Sequence, residues 1–258
     1  MSRYIWESPD DYLADLETVE TEEERNDILL LLLALPVTGR YRDTRTGRFV
    51  SPAIVRVELD QYLAKATDPV GALAEQLREG QININDWHTA MRREIKNTHL
   101  NAAANAVGGF DNMTPADYGR AGQIIRTQYS YLRNFADEIV SGEQKLDGTL
   151  SRRAKMYVDA GRETYYKTKH AKISEVEQAS GQRAVIGSVL NPADHCAECV
   201  SFDLDQNPTR WFFLSNLTAV FGSGRYKEIG NRVCRKNCKC SERTAFYIDG
   251  EIVGETAV

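Results

Sequence analysis

The pattern of apolar and polar residues divides the 258-residue chain into three parts. The first part contains a run of eight apolar residues, Ile28–Leu35. Thr21 and Glu24 form a capping-box pattern ahead of this run, so we predict a buried helix that Pro36 ends. In the second part, apolar residues recur every three or four positions, as in helices that pack into a bundle. In the third part the helical period gives way to short β-like runs, which are typical of strands.

The second part, residues 53–181, predicts a helical body. We expect its first helix to end at Asp68-Pro69, because proline disrupts helical hydrogen bonding. A capping pattern, Thr114-Pro115-Ala116-Asp117, starts a later helix that Gly142 ends. The last helix is predicted to run from about Leu150 to Ala179.

Two of these helices have apolar stripes that predict their buried faces. The earlier stripe is Trp87, Met91, Ile95 and His99, in which we expect His99 to be a hydrogen-bonded core residue. The helix that starts at Thr114 has its predicted inward positions at Tyr118, Ala121, Ile125, Gln128, Leu132, Phe135 and Ile139.

The third part predicts a small α+β subdomain. Ala184–Leu190 has the composition of a short buried strand, and Asp249-Gly250 separates two β-like runs as in a hairpin. The predicted fold class is therefore mainly α, a helical body with a small cysteine-rich α+β C-terminal subdomain. We divide the chain into acidic N-terminal helices with an Arg-rich extended arm (1–52), the helical body (53–181) and the cysteine-rich subdomain (182–258).

The Arg-rich arm covers Gly39–Ser51 and lacks a helical period. Its arginines alternate with aromatic residues, which predicts an exposed extended arm or hairpin. Such a segment can lie along a neighbouring protein or bind phosphates. We expect contact with a protein partner and treat contact with DNA as the second possibility. The candidate contact residues are Arg40, Arg42, Arg45 and Arg48.

The net charge is −5, which argues against a general nucleic-acid binder. Glu7–Asp27 has ten acidic residues and one basic residue, whereas residues 152–243 have sixteen basic and ten acidic residues. We expect Lys167, Lys169 and Lys172 to form a solvated face, with DNA contact as the alternative. The start of the chain does not resemble a signal peptide, and the apolar run is too short to span a membrane. The sequence therefore predicts synthesis and folding in a cytoplasm, without a membrane partner.

All five cysteines lie in one stretch of the chain, as a C-x2-C pair and a C-x3-C-x-C cluster. A C-x2-C pair can chelate one ion from a tight turn, and a second cluster can complete a tetrahedral zinc site. Zinc is the preferred interpretation, and disulfides or free thiols remain alternatives. His195 adjoins the first pair and is at best a neighbour of a ligand. The candidate metal ligands are Cys196, Cys199, Cys234, Cys238 and Cys240.

The cysteine motifs resemble the C-terminal signature of phage minor head proteins, the head-morphogenesis proteins of the phage Mu type. The resemblance rests on C-A-E-C at 196–199 and N-C-K-C at 237–240. Arg235 occupies the position where the family often has a histidine, and Cys234 lies beside it. A helix upstream, with Arg162 and Glu163 in G-R-E-T-Y-Y, is also similar. The match covers about residues 80–245.

The resemblance implies a structural virion protein that acts at or near the portal vertex in head morphogenesis, DNA packaging or ejection. The implied partners are portal and other head proteins, with double-stranded DNA as a further candidate. The implied location is the virion, reached through the host cytoplasm during assembly. The first alternative is a zinc-ribbon-like DNA-binding module.

The sequence has none of the P-loop, dinucleotide-binding, G-x-S-x-G or H-E-x-x-H patterns, so we predict neither an enzyme nor a small-molecule substrate. A metal-dependent nuclease that uses Asp203, Asp205 or Glu198 is a weaker alternative.

Overall fold

The computed structural model describes residues 32–35, 40–43, 49–50, 52–190, 197–201, 203–216, 241–248 and 250–253. The helices are α1 (Pro52–Arg78), α2 (Ile84–Val107), α3 (Pro115–Ser141), α4 (Gly148–Asp159), α5 (Gly161–Ser180) and α6 (Ala197–Ser201). The strands are β1 (Leu32–Leu35), β2 (Arg40–Asp43), β3 (Phe49–Val50), β4 (Arg183–Val189), β5 (Phe212–Phe213), β6 (Ser241–Ile248) and β7 (Glu251–Val253). Short 3-10 turns cover Phe110–Asn112 and Leu214–Asn216.

Local capping chemistry fixes the ends of the central helices. The Asn83 side chain accepts hydrogen bonds from the backbone at the start of α2, and Gly108 ends that helix in the left-handed region at φ 82°. Thr114 and Asp117 form a reciprocal capping box at the start of α3, and Gly142 ends it at φ 81°. The predicted start and end of α3 are therefore confirmed.

The main core lies among the five long helices. Trp87 on α2 and Phe135 on α3 are both fully buried and meet edge to face, with ring centroids 5.3 Å apart. The whole predicted stripe of α2 is buried. Four of the seven predicted inward positions of α3 are also buried, Gln128 and Ile139 are partly buried, and Tyr118 is 43% exposed near the start of the helix. Other large members of this core are Leu59, Leu63, Leu132, Leu150, Tyr165 and Tyr166.

The predicted break at Asp68-Pro69 is wrong. Pro69 lies inside α1, which continues for nine more residues to Arg78. A proline inside a helix costs about 3 kcal/mol, since it removes one hydrogen bond and crowds the preceding turn. Leu63 before the proline and Val70 and Ala74 after it are all buried in the same core. Burial on both sides offsets the local cost and keeps the helix continuous.

The long helix predicted from Leu150 to Ala179 is two helices that meet at Ala160. Helix α4 packs mainly against α1, and α5 packs mainly against α2. Gly161 begins α5 at a point of close contact, where an added Cβ would lie 2.9 Å from Leu63 and from Thr98. The break lets each helix bury its apolar side against a different partner.

The helix predicted over Ile28–Leu35 is wrong for its last four residues, which form β1. β1 pairs antiparallel with β2, and Leu35 opposite Arg40 leaves a four-residue connection. β2 also pairs antiparallel with β3, so the described part of Gly39–Ser51 is extended and paired as in a hairpin, while the predicted exposure of its side chains lies outside the described residues. A short apolar run has no period that separates a helix from a buried strand.

The C-terminal sheet has the strand order β5-β4-β6-β7, and all neighbouring strands are antiparallel. One face packs on α5, where Ile173 meets Ile186 and Phe246. The predicted strand at Ala184–Leu190 and the predicted hairpin around Asp249-Gly250 are confirmed, and Gly250 has φ 93°. The protein is therefore mainly α with a small α+β part. No helix in the described ranges is long and apolar enough to cross a membrane.

Candidate functional site

The strand register brings the flanks of the two cysteine motifs to one end of the sheet. β4 ends at Val189, seven residues before Cys196, and Val189 pairs with Ser241. Ser241 begins β6 and directly follows Cys240. Because paired residues in an antiparallel ladder lie about 5 Å apart, the chain leaves and re-enters the sheet at neighbouring points.

A second set of contacts holds the segment after Cys199 at the same end of the sheet. Cys199 lies in α6, where only its backbone is described. Two residues beyond α6, the buried Asp203 accepts a hydrogen bond from the Leu190 N–H at 3.2 Å. The Leu204 N–H donates to the Ser188 carbonyl at 2.8 Å. The first cysteine pair therefore lies between two chain segments that are fixed to the end of β4.

The other predicted site residues are described only in part. Cys196, Cys234, Cys238 and Cys240 lie outside the described residues, as do Arg45 and Arg48. Arg40 and Arg42 lie on β2, where only the backbone is described. Within the described ranges, no three histidine, cysteine or acidic side chains come together as a group that could hold a metal ion.

A buried charged cluster lies where the sheet meets the helical body. Glu242, two residues after Cys240, points from β6 toward α5 and is 3% exposed. Its Oε2 lies 2.8 Å from His170 Nε2 and 3.5 Å from Lys169 Nζ. All three side chains are buried, so the carboxylate is compensated by the two neighbouring groups. The cluster joins the strand after the last cysteine to α5.

Lys169 and Lys172 are not part of a solvated face. Lys169 is 5% exposed and contacts Glu242, whereas the Lys172 side chain is 14% exposed and lies 3.0 Å from Asp117 Oδ2. Lys167 is paired with Glu163 one turn earlier. The pairing arises because α5 is enclosed by other helices and by the sheet, which the sequence pattern of α5 did not reveal.

Arg162, part of the motif that resembles the phage family, is buried at the start of α5. Its Nη2 donates to Asp60 Oδ1 at 2.5 Å and its side chain is 9% exposed. Asp60 lies on α1, so this ion pair crosses 102 positions of sequence. Arg162 therefore fixes α5 against α1 and is not displayed to a partner at the surface.

Asp117 is a second buried ionic centre, at the start of α3. Burial of the carboxyl opposes ionisation, but hydrogen bonds from Thr114, Lys172 and Arg120 outweigh it and lower the Asp117 pKa from 3.8 to about 2. The Lys172 contact joins α3 to α5, while Arg120 also donates to Glu175 of α5 at 3.0 Å. The bonds of the Asp117 carboxylate run only to side chains of α3, its N-cap and α5, so its role is to hold these two helices together.

His99 is a core residue, as predicted. Its Nδ1 lies 2.6 Å from the Thr164 hydroxyl, and burial lowers its pKa from 6.5 to about 4. Within the described residues, His99 Nε2 has no hydrogen-bond partner. A neutral imidazole that donates from Nδ1 leaves only a lone pair on Nε2, which is the least costly arrangement in this apolar setting.

The two aspartates of the nuclease alternative have structural partners. Asp203 holds the Leu190 backbone, and Asp205 lies 3.3 Å from Arg243 of β6. Each carboxylate is thus bonded to a different part of the sheet. Glu198 lies in α6, where only the backbone is described.

A groove of about 450 Å³ lies between α3 and α4. Tyr131 and Met156 line it and are 56% and 58% exposed. Arg153 and Glu138 form an ion pair in its wall, and burial raises the pKa of the lining Tyr157 to about 12. The groove has the chemistry to accept an apolar side chain.

Sequence reasoning did not identify the His170–Glu242 pair. One signal was present: Glu242 alternates with Thr244 and Phe246 on the inward face of β6, so an acid occupies a position that the strand pattern assigns to the core. Its partner on α5, His170, is 72 positions away and has no comparable signal in the sequence.

Comparison of this chain with family profiles, with curated proteins and with solved structures finds no match.

Proposed function

We propose that this chain is a structural virion protein, a phage minor head protein that acts at or near the portal vertex during head morphogenesis. The sequence support is the pair of cysteine motifs, C-A-E-C and N-C-K-C, which resembles the signature of that family. The observation that carries the proposal is the pairing of Val189 with Ser241. If the two cysteine motifs form one site, they must lie close together in the fold. The pairing supports this, because Val189 precedes the first motif, Ser241 follows the second, and the two residues are neighbours in the sheet.

The proposed site is a zinc clip at the end of the sheet. Four thiolates suit a tetrahedral structural zinc, and five cysteines leave one spare. Such a clip would close the loops that leave β4 and re-enter at β6, where the buried Glu242 cluster already joins the sheet to α5. The geometry supports a site that stabilises a small subdomain, with portal and other head proteins as the proposed partners.

Elemental analysis together with thiol titration tests the zinc clip. Protein purified without added metal should contain about one zinc per chain, and most thiols should react only after a chelator is added. Replacement of Cys199 by Ser should lower the zinc content while the helical circular dichroism signal remains. Thiols released only by a reductant would show disulfides, and five freely reacting thiols in the folded protein would contradict both kinds of cross-link.

The virion role has its own test. Purified particles of the phage that encodes this chain should contain it at low copy number, and it should cross-link to the portal protein. Its absence from particles and from assembly intermediates would contradict the proposal, whatever the result for zinc.

The DNA-binding alternative has less support. The lysines of α5 that would have faced DNA are paired with acids of the same chain. If the chain binds DNA, its affinity should fall steeply with salt, because each phosphate contact releases counterions.

A further inference from the structure

Helices α2 and α3 share an exposed basic face. We define this face by Arg92 and Lys96 on α2 and by Arg126 and Arg133 on α3, all of which are exposed. Tyr129 lies at its centre, because its hydroxyl donates to the Arg92 carbonyl at 3.0 Å and the Arg92 guanidinium lies 4.5 Å from its ring centroid. This hydrogen bond and this cation–π contact join the α2 part and the α3 part of the basic face into one surface.

The helix alignment places the four cations along neighbouring stretches of α2 and α3. Trp87 meets Phe135 and Arg92 meets Tyr129, so the helices run antiparallel with Lys96 level with Arg126. Partial burial lowers the pKa of His88, and the positive charges of Arg92 and Arg133 lower it further. Both guanidiniums therefore act on the same imidazole.

The basic face lacks acidic partners within the described part of the chain. None of its four cations forms an ion pair there, whereas the neighbouring Arg93 contacts Glu94 at 3.2 Å. The negative charge of Asp137 has the opposite effect and raises the pKa of His88. A row of unpaired cations on an exposed surface attracts a polyanion.

The same chain contains a matching polyanion. Residues 7–27 have ten acidic residues and one basic residue. Leu32 begins β1, which lies against α2, the helix that carries Arg92 and Lys96. The five positions from Asp27 to Leu32 span at most about 17 Å, and the 24 residues of α2 are about 36 Å long. The acidic segment is thus tethered by a short linker to a strand that packs on the helix carrying half of the basic face.

We propose that the acidic segment 7–27 binds the basic face of its own chain. A single exposed ion pair is worth little, but several pairs act together when a short tether keeps the effective concentration in the millimolar range. The contact is electrostatic, so it weakens as salt shortens the screening length. The same face is therefore covered in the free protein, and a second copy or DNA must compete with the tethered segment.

A carbodiimide cross-link between carboxylates and amines tests this contact in the full-length chain. At low salt, Lys96 should link to a peptide from residues 7–27, and the product should migrate as a monomer. At 1 M salt, where the screening length is about 3 Å, the yield should fall by about threefold or more. The change Lys96→Arg keeps the charge and removes the amine, so that link should vanish while links from other lysines remain.

A pair of matched double variants separates the basic face from charge in general. Arg126→Ser with Arg133→Ser should lower the yield of the Lys96 link, whereas Lys145→Ser with Arg152→Ser, also exposed, should leave it unchanged. A missing Lys96 link, a link seen only between two chains, or a yield independent of salt overturns the proposal. DNA binding that needs Arg126 and Arg133 and is unaffected by Glu→Gln changes in residues 7–27 would also overturn it.

Discussion

Glu242 accepts a hydrogen bond from His170 across 72 positions of sequence, with 2.8 Å between Oε2 and Nε2. Glu242 is the second residue of β6, two residues after Cys240, and His170 lies in the middle of α5. The bond therefore links the re-entry point of the cysteine segment to the helical body. Lys169 lies 3.5 Å from the same oxygen and adds a positive charge to the contact.

Replacing Glu242 by Ala should destabilise the fold strongly. The change leaves His170 and Lys169 buried without the carboxylate between them, and removing one partner of a buried charged group costs about 3–5 kcal/mol. Urea denaturation followed by circular dichroism measures the loss. Glu251→Ala on the exposed β7 is the matched control and should change stability by less than about 0.5 kcal/mol. Similar small effects for both variants would contradict a structural role of the cluster.

Replacing Gly161 by Ala should also destabilise the protein. The new methyl would lie 2.9 Å from both Leu63 and Thr98 in a packed core, and overpacking costs about 1–3 kcal/mol. Gly119→Ala on the exposed side of α3 meets no atom within 4 Å. That control should raise stability by about 0.5–1 kcal/mol, since alanine is the better helix former. Equal melting temperatures for the two variants would contradict the close approach of α5 to α1 and α2.

Asp117 should contribute stability that acid removes. Its folded pKa of about 2 lies below the ordinary value of 3.8, so the unfolded chain takes up the proton first as the pH falls. The contribution, on the order of 2 kcal/mol, is complete above about pH 4 and is lost as the pH falls toward 2. Asp117→Asn removes the charge, so its deficit relative to the wild type should shrink over this range. A deficit that does not change with pH would contradict the pKa shift.

His99 should resist protonation in the folded protein. Its folded pKa of about 4 lies below 6.5, so the unfolded chain binds the proton more readily between those two values. The contribution of neutral His99 to the free energy of unfolding is complete above about pH 6.5. It falls by on the order of 3 kcal/mol as the pH drops to 4. Imidazole NMR signals should show one histidine that stays neutral down to about pH 4, and His99→Gln should remove that signal. Titration of His99 near 6.5 would contradict its burial.

Features with local causes could be predicted from the sequence. The start of α3 at Thr114, its end at Gly142 and the hairpin around Gly250 depend on capping and turn chemistry within a few residues. The buried stripe from Trp87 to His99 depends only on the helical period. The cysteine motifs are visible because their spacing is itself the signal, although their chemistry stays a prediction.

Only the tertiary structure decided the features that depend on residues far apart in sequence. Pro69 is tolerated inside α1 because the core buries Leu63 and Val70 on either side of it. Lys169 is buried because the C-terminal sheet covers α5, and its strand β6 supplies the partner Glu242. The sequence of α5 alone does not indicate that β6 packs against it. The sequence determines a helix end where a cap marks it, as at Thr114 and Gly142 of α3, since that choice is made within one turn of chain. Boundaries without such a cap, at Pro69 and Ala160, depended on the core. The position of each buried charge depends on which partner the fold brings to it.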